Sequence, residues 1–140
     1  MQLQFQLIGF VLILLAVFHV FFPKRFEWKK ECEGLSLLNR QMMYVHTFFL
    51  ALTVCLMGIL CLTSSEELIG TSLGRKVTFG FGIFWIARLY VQFFVYSPAL
   101  WRGKRFETII HIFFALMWAY FSFVFLYTSI IGEMMVVANT

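Results

Sequence analysis

The chain has 140 residues, of which 61% are hydrophobic and only 13% are charged. In a soluble domain about a quarter of all residues are charged, so this composition indicates that the natural solvent of the chain is a lipid bilayer. The formal net charge of +4 lies mainly in the connections between apolar runs, so membrane topology explains it better than nucleic-acid binding does. All seven acidic residues are glutamates, which excludes aspartate-based chemistry and most sites for hard metal ions.

Four apolar runs follow one another along the chain, and each is near the ~20 residues that a helix needs to cross a ~30 Å hydrocarbon core. Their approximate bounds are 3–22, 41–62, 77–97 and 108–131. Pro23, Pro98 and Gly132 are expected to end the first, third and fourth runs. Because backbone polar groups in lipid must pair within their own segment, we predict helices. The fold class is therefore an all-α integral membrane protein, with residues 1–140 forming a single four-transmembrane-helix bundle.

The lysines and arginines outside the apolar runs are unevenly distributed among the three connections. The first connection holds Lys24, Arg25, Lys29, Lys30 and Arg40; the third holds Arg102, Lys104 and Arg105; the second holds only Arg75 and Lys76. The positive-inside rule then places the first and third connections in the cytoplasm and both termini outside. We expect the protein to lie in the bacterial inner (plasma) membrane.

The first connection, PKRFEWKKECEGLSLLNR, alternates apolar and charged residues and is longer than a hairpin requires. Two interpretations are open. Part of the segment lies along the lipid headgroups as an amphipathic helix, or the segment is a solvated basic loop with Trp28 as its interface anchor. In the third run, the sequence GFG at 80–82 favours close helix packing rather than nucleotide binding.

Several polar residues fall at a similar depth within the predicted helices. At 1.5 Å per residue, His19, His46 and His111 lie about 5–7 Å from the cytoplasmic helix ends, and Gln92 lies about 9 Å in. Polar residues on several helices most economically face one another, so the sequence predicts a polar layer near the cytoplasmic face.

Arg88 lies deeper, about 15 Å from Pro98 and close to the midplane. An arginine at that depth costs on the order of 2.5–3.5 kcal/mol on insertion scales, and no acidic residue lies at its level. We therefore predict a ligand-binding site. Its candidate residues are Arg88, Gln92, Arg40, Trp118 and Tyr120.

Three functions remain open at this stage. The first is a non-catalytic module or accessory subunit that binds a ligand or a partner at the polar layer. The second is a redox protein that binds a quinone, or haem b or another metal through His19, His46 and His111. The third is a small transporter or channel subunit. Catalytic motifs such as P-loops and HExxH are absent from the sequence, so no catalytic residue is predicted. The expected partners are membrane lipid and either further copies of the chain or a larger membrane complex, but not nucleic acid.

Overall fold

The computed structural model describes residues 1–138, with the side chains of 133 and 135–138 outside that description. Over this range the chain is all-helical. The elements are α1 (Gln2–Arg25), α2 (Trp28–Glu31), α3 (Leu37–Thr63), α4 (Ser65–Gly70), α5 (Ser72–Phe94), a 3-10 turn (Pro98–Leu100) and α6 (Arg105–Ala138). The described chain divides into two compact units, Gln2–Ser65 and a second unit formed by residues 66–138 with Met1, which we call the first and second hairpins.

In the first hairpin, α1 packs against α3 at a pair of glycines. A Cβ atom built on Gly9 would lie 2.8 Å from the carbonyl oxygen of Gly58, and one built on Gly58 would lie 2.9 Å from the carbonyl oxygen of Gly9. Real Cβ atoms are not found this close to a backbone oxygen. The absence of side chains at these two positions therefore sets how closely the helices approach.

In the second hairpin, α5 packs against α6 through large rings. The indoles of Trp85 and Trp118 stack with their centroids 4.7 Å apart and their planes 12° apart, and Phe121 meets the edge of Trp85 at 5.2 Å. A Cβ atom on Gly82 would lie 2.6 Å from the side chain of Leu126, so this glycine supports close packing as predicted, whereas Gly80 faces open space.

Several helix ends differ from those predicted. α1 continues past Pro23 to Arg25, because a proline in the last turn removes only one backbone hydrogen bond and its φ suits a helix. The chain instead turns at Glu27, which adopts a left-handed φ of 46°. α5 ends at Phe94, before Pro98. α6 continues through Gly132, which lies against the side chain of the buried Arg75.

Four helices are long and apolar enough to cross a membrane. They are Gln2–Arg25, Leu37–Thr63, Ser72–Phe94 and the Arg105–Gly132 part of α6. The shortest has 23 residues, which at 1.5 Å per residue spans about 35 Å and exceeds the ~30 Å hydrocarbon core. The prediction of an all-α protein with four helices long and apolar enough to span a membrane is confirmed, while the bundle, its orientation and the single domain over 1–140 stay predictions.

Candidate ligand-binding site

The candidate site begins on one face of α5, near its C-terminal end. Arg88 and Gln92 are four residues apart, a spacing that makes them neighbours on the helix surface. Nη1 of Arg88 donates a hydrogen bond of 3.1 Å to Oε1 of Gln92. Arg88 is half-buried, whereas Gln92 is buried. The carboxamide therefore supplies a neutral acceptor to a cation that the helix would otherwise leave without one.

The same carboxamide joins α5 to α6. Nε2 of Gln92 lies 2.9 Å from Nδ1 of His111, whose side chain is also buried. A guanidinium can only donate, so its contact fixes which end of the Gln92 amide is the oxygen. The amide nitrogen must then donate to Nδ1, and the proton of a neutral His111 lies on Nε2. We call these three residues the Arg88–Gln92–His111 chain.

Trp101 covers the imidazole of His111. The two rings are stacked, with their centroids 4.5 Å apart and their planes 14° apart. The connection between α5 and α6 holds the indole there, because the Thr108 hydroxyl donates to the carbonyl of Trp101 over 2.7 Å. Phe93 meets the edge of the same imidazole at 5.9 Å. His111 is thereby held between rings, with one nitrogen in the chain and the other carrying a proton.

The guanidinium of Arg88 lies between two aromatic rings. Its Cζ is 5.5 Å from the centre of the Tyr96 ring and 5.3 Å from that of Trp118, within the range of cation–π attraction. Tyr96 lies beyond Phe94, the last residue of α5, so the arginine extends toward the C-terminal end of that helix. Among the described side chains, Arg88 contacts Gln92, Tyr96 and Trp118, and none of these is a carboxylate.

Hydrogen-bond donors outnumber acceptors in this cluster. One guanidinium N–H is used by Gln92, which leaves the other guanidinium donors and the Nε2–H of His111. The indole nitrogens of Trp85 and Trp118 are buried and have no acceptor within the described part of the chain. A molecule that complements this site must therefore bring acceptor atoms.

The structure brings four of the predicted residues together: Arg88, Gln92, Trp118 and His111. Tyr120 does not join them, since its ring contacts Phe121 and Arg88 contacts Tyr96 in its place. Arg40 lies in the first turn of α3, in the first hairpin.

The predicted haem or metal site at the three histidines finds no support in the described residues. His19 hydrogen-bonds through Nδ1 to the Leu15 carbonyl of its own helix over 2.7 Å, and His46 is exposed on α3. No group of three His, Cys, Asp or Glu side chains able to hold a metal ion is found within residues 1–138 as described. Equal depth along different helices does not specify the direction in which each side chain points.

Sequence reasoning missed the contributions of Trp101 and Trp85. Trp101 lies in an irregular connection, where residue spacing carries no information about the direction of a side chain. Trp85 is three residues from Arg88 on α5, and this spacing places the two side chains on one face of the helix. The spacing is the sequence feature from which the position of Trp85 near the site could have been predicted.

The sequence was compared with profiles of known protein families and with curated proteins, and the structure with solved structures. None of the three comparisons finds a match.

Proposed function

We propose that this protein is a small, non-catalytic membrane module that binds an anionic group of a ligand or a partner subunit at the Arg88–Gln92–His111 chain. The observation that carries the proposal is the direction of the hydrogen bonds along that chain. In each hydrogen bond the donor lies on the arginine side and the acceptor on the histidine side. Both ends of the chain therefore offer free N–H groups.

An anion complements this arrangement better than a neutral molecule does. The contacts of Arg88 are a neutral carboxamide and two rings, so its positive charge is solvated but not neutralised. Hydrogen bonds between a guanidinium and a carboxylate or phosphate are roughly twice as strong as neutral ones. A quinone, which the sequence left open, offers acceptors of the right kind but leaves the charge uncompensated.

The haem and metal alternative fits the site poorly. A metal-ligating imidazole normally donates its other ring N–H to an acceptor. His111 has the opposite arrangement, because its Nδ1 accepts from Gln92 and its Nε2 carries the proton. A haem absorption band lost in His111→Ala would contradict this reasoning.

The transport alternative relies on the same cation, Arg88, and would require anion movement in addition to anion binding.

In the cell, we propose that the protein lies in the bacterial inner membrane with both termini outside. The excess of lysine and arginine in the first and third connections supports this orientation. The anion is then supplied near the cytoplasmic face, by a lipid, a soluble ligand or an acidic side chain of a partner helix.

Binding of a simple amphiphilic anion to the purified protein tests the proposal. Decanoate supplies a carboxylate on an apolar tail, and decanol is its neutral counterpart. Decanoate should change the tryptophan emission of the wild-type protein, because Trp118 and Trp101 contact Arg88 and His111. A hydrogen bond to a charged group contributes about 1.5–3 kcal/mol, so Arg88→Leu should bind decanoate about tenfold to a hundredfold more weakly.

Arg102→Leu is the matched control, because it removes the same charge from an exposed position in the connection between α5 and α6. It should bind decanoate as the wild type does. Equal binding by wild type and Arg88→Leu, or equal binding of decanol and decanoate, would show that Arg88 does not recognise an anion.

A further inference from the structure

A second site is present in the first hairpin, where α1 and α2 meet the start of α3. A cavity of about 520 Å³ opens there. It is lined by Pro23, Lys24, Glu27, Lys29, Lys30 and Tyr44. None of these residues belongs to the Arg88–Gln92–His111 chain, so the inference drawn here does not depend on the proposed function.

The backbone at Glu27 brings the lysines together. Its left-handed conformation, φ 46° and ψ 42°, is uncommon for a residue with a Cβ atom and is found mostly where the surrounding structure requires it. The turn bends the chain between Lys24 on α1 and the lysines of α2, and the Lys30 amide donates to the Glu27 carbonyl over 2.8 Å. Lys24 and the adjacent pair Lys29 and Lys30 consequently border one cavity.

Aromatic contacts hold this cavity against α3. Trp28 of α2 meets Tyr44 of α3 edge to face, with their ring centroids 5.4 Å apart. Tyr44 lines the cavity, and its phenol adds a hydrogen-bonding group to the lysine ammoniums. The walls of the cavity therefore come from all three helices of the first hairpin.

The lining is positively charged. It contains three lysines and one glutamate, and the three lysine side chains are exposed. No ion pair between these lysines and a carboxylate is found in the described part of the chain. A neighbouring cavity of about 680 Å³ has the opposite balance, since Glu27 and Glu31 line it with a single cation, Arg25. An anion is thus favoured in the lysine-lined cavity and not in its neighbour.

We propose that this cavity binds a phosphate group, supplied as the headgroup of an anionic phospholipid. Lysine recognises phosphate as a point charge, and clusters of basic residues directly beside a membrane-spanning helix attract anionic lipids. The apolar surface below the cavity favours a lipid over free phosphate. Val20 lies one turn from Lys24 on α1, Phe48 lies one turn from Tyr44 on α3, and both are exposed where acyl chains would run.

Native mass spectrometry of the full-length protein in detergent tests this site. The probes are dihexanoyl phosphatidylglycerol, dihexanoyl phosphatidylcholine and inorganic phosphate. Wild type should bind the phosphatidylglycerol more tightly than the phosphatidylcholine. Since each lysine near a membrane surface contributes about a fivefold preference for anionic lipid, the variant Lys24→Gln/Lys29→Gln/Lys30→Gln should bind phosphatidylglycerol at least about tenfold more weakly.

Two further variants separate this site from general surface charge. Arg102→Gln/Lys104→Gln/Arg105→Gln removes three charges from the other basic connection and should retain wild-type affinity. Glu27→Gln removes the acid from the lining and should raise the affinity for phosphatidylglycerol severalfold, a gain that a folding defect would not produce. The proposal would be overturned if the two triple variants lost equal affinity for phosphatidylglycerol. It would also be overturned if the affinity of the lysine variant, or that of Glu27→Gln, equalled the wild-type affinity.

The phosphate arm identifies the source of the anion. If inorganic phosphate at an equal concentration does not displace phosphatidylglycerol, the acyl chains contribute to binding and the lipid assignment holds. If inorganic phosphate displaces the lipid at an equal concentration, the site takes a free anion and the lipid assignment is overturned.

Discussion

Arg88 shows how a membrane helix accommodates an arginine without an acidic partner. Its guanidinium donates to Gln92 and lies within 5.5 Å of the centres of two rings, Tyr96 and Trp118. Each cation–π contact contributes about 0.5–2 kcal/mol, depending on its exposure, and the hydrogen bond adds a similar amount. Together these contacts are comparable with the ~2.5–3.5 kcal/mol cost of inserting arginine at the centre of a helix. These contacts explain why the chain tolerates the Arg88 cation. The hydrogen-bond donors of the guanidinium that remain unused are the reason why we propose a ligand for it.

The tautomer of His111 is a direct test of this account. We expect nitrogen NMR of the ¹⁵N-histidine-labelled protein to show a neutral His111 with an unprotonated Nδ1 and a proton on Nε2, because Nδ1 accepts from Gln92. In Gln92→Glu, the carboxylate can accept from both neighbours, so the proton should move to Nδ1. His46, which is exposed, provides an internal reference in both proteins. A proton on Nδ1 in the wild type would contradict the direction assigned to the chain of hydrogen bonds.

At the scale of helices, the two hairpins pack in different ways. α1 and α3 meet through glycines whose backbones nearly touch, whereas α5 and α6 meet through stacked and edge-on rings. In lipid, the hydrophobic effect does not drive helices together, so close van der Waals packing must supply the stability of each pair. Small residues on one hairpin and large flat residues on the other are two solutions to the same requirement.

The glycine contact predicts a contrast between two similar substitutions. Gly58→Ala would place a methyl group against the backbone oxygen of Gly9 and should lower the free energy of unfolding by about 1–3 kcal/mol, the usual cost of overpacking. Gly80→Ala meets no atom within 4 Å and should be neutral or up to about 1 kcal/mol stabilising, because alanine favours a helix. Unfolding of both variants in mixed detergent micelles measures the difference. Equal stabilities would show that the α1–α3 contact is looser than the structure indicates.

At the scale of the whole molecule, charge distribution governs how the four spans are inserted. Exposed cations cluster on the two connections that join the helices of each hairpin. Arg75, which the sequence assigned to the second connection, is instead buried in the first turn of α5, where its Nη1 donates to the Gly70 carbonyl over 3.3 Å. Lys76, the next residue of α5, is exposed, so only one of the two cations predicted for the second connection lies on the surface.

This charge distribution predicts the orientation of the protein. A phosphatase reporter fused to the C-terminus should be active, and a fluorescent-protein reporter fused there should be dark, because both termini are expected outside. Reporters inserted in the first connection, near Gly34, should show the opposite behaviour. A fluorescent C-terminal fusion would reverse the orientation and place the lysine-lined cavity outside.

The sequence by itself determined the all-α class and the four helices that are long and apolar enough to cross a membrane. A low content of charged residues and four apolar runs of about twenty residues indicate membrane helices, because unpaired backbone groups in lipid are too costly. The helix ends were less well determined. Pro23 and Gly132 lie inside helices whose neighbouring turns supply the remaining hydrogen bonds, so local breaker residues did not decide where the helices stop.

Only the tertiary structure decided which polar residues meet. Arg88 and Gln92 could be paired from their spacing on one helix, but the contact of Gln92 with His111 depends on how α5 and α6 are rotated against each other. In the structure, that rotation accompanies the ring contacts among Trp85, Trp118 and Phe121. Depth along a helix can be read from residue numbers, whereas the direction of a side chain depends on packing between helices. For that reason the sequence could place the histidines in depth but could not show that the arginine and glutamine side chains join His111 in one hydrogen-bonded chain.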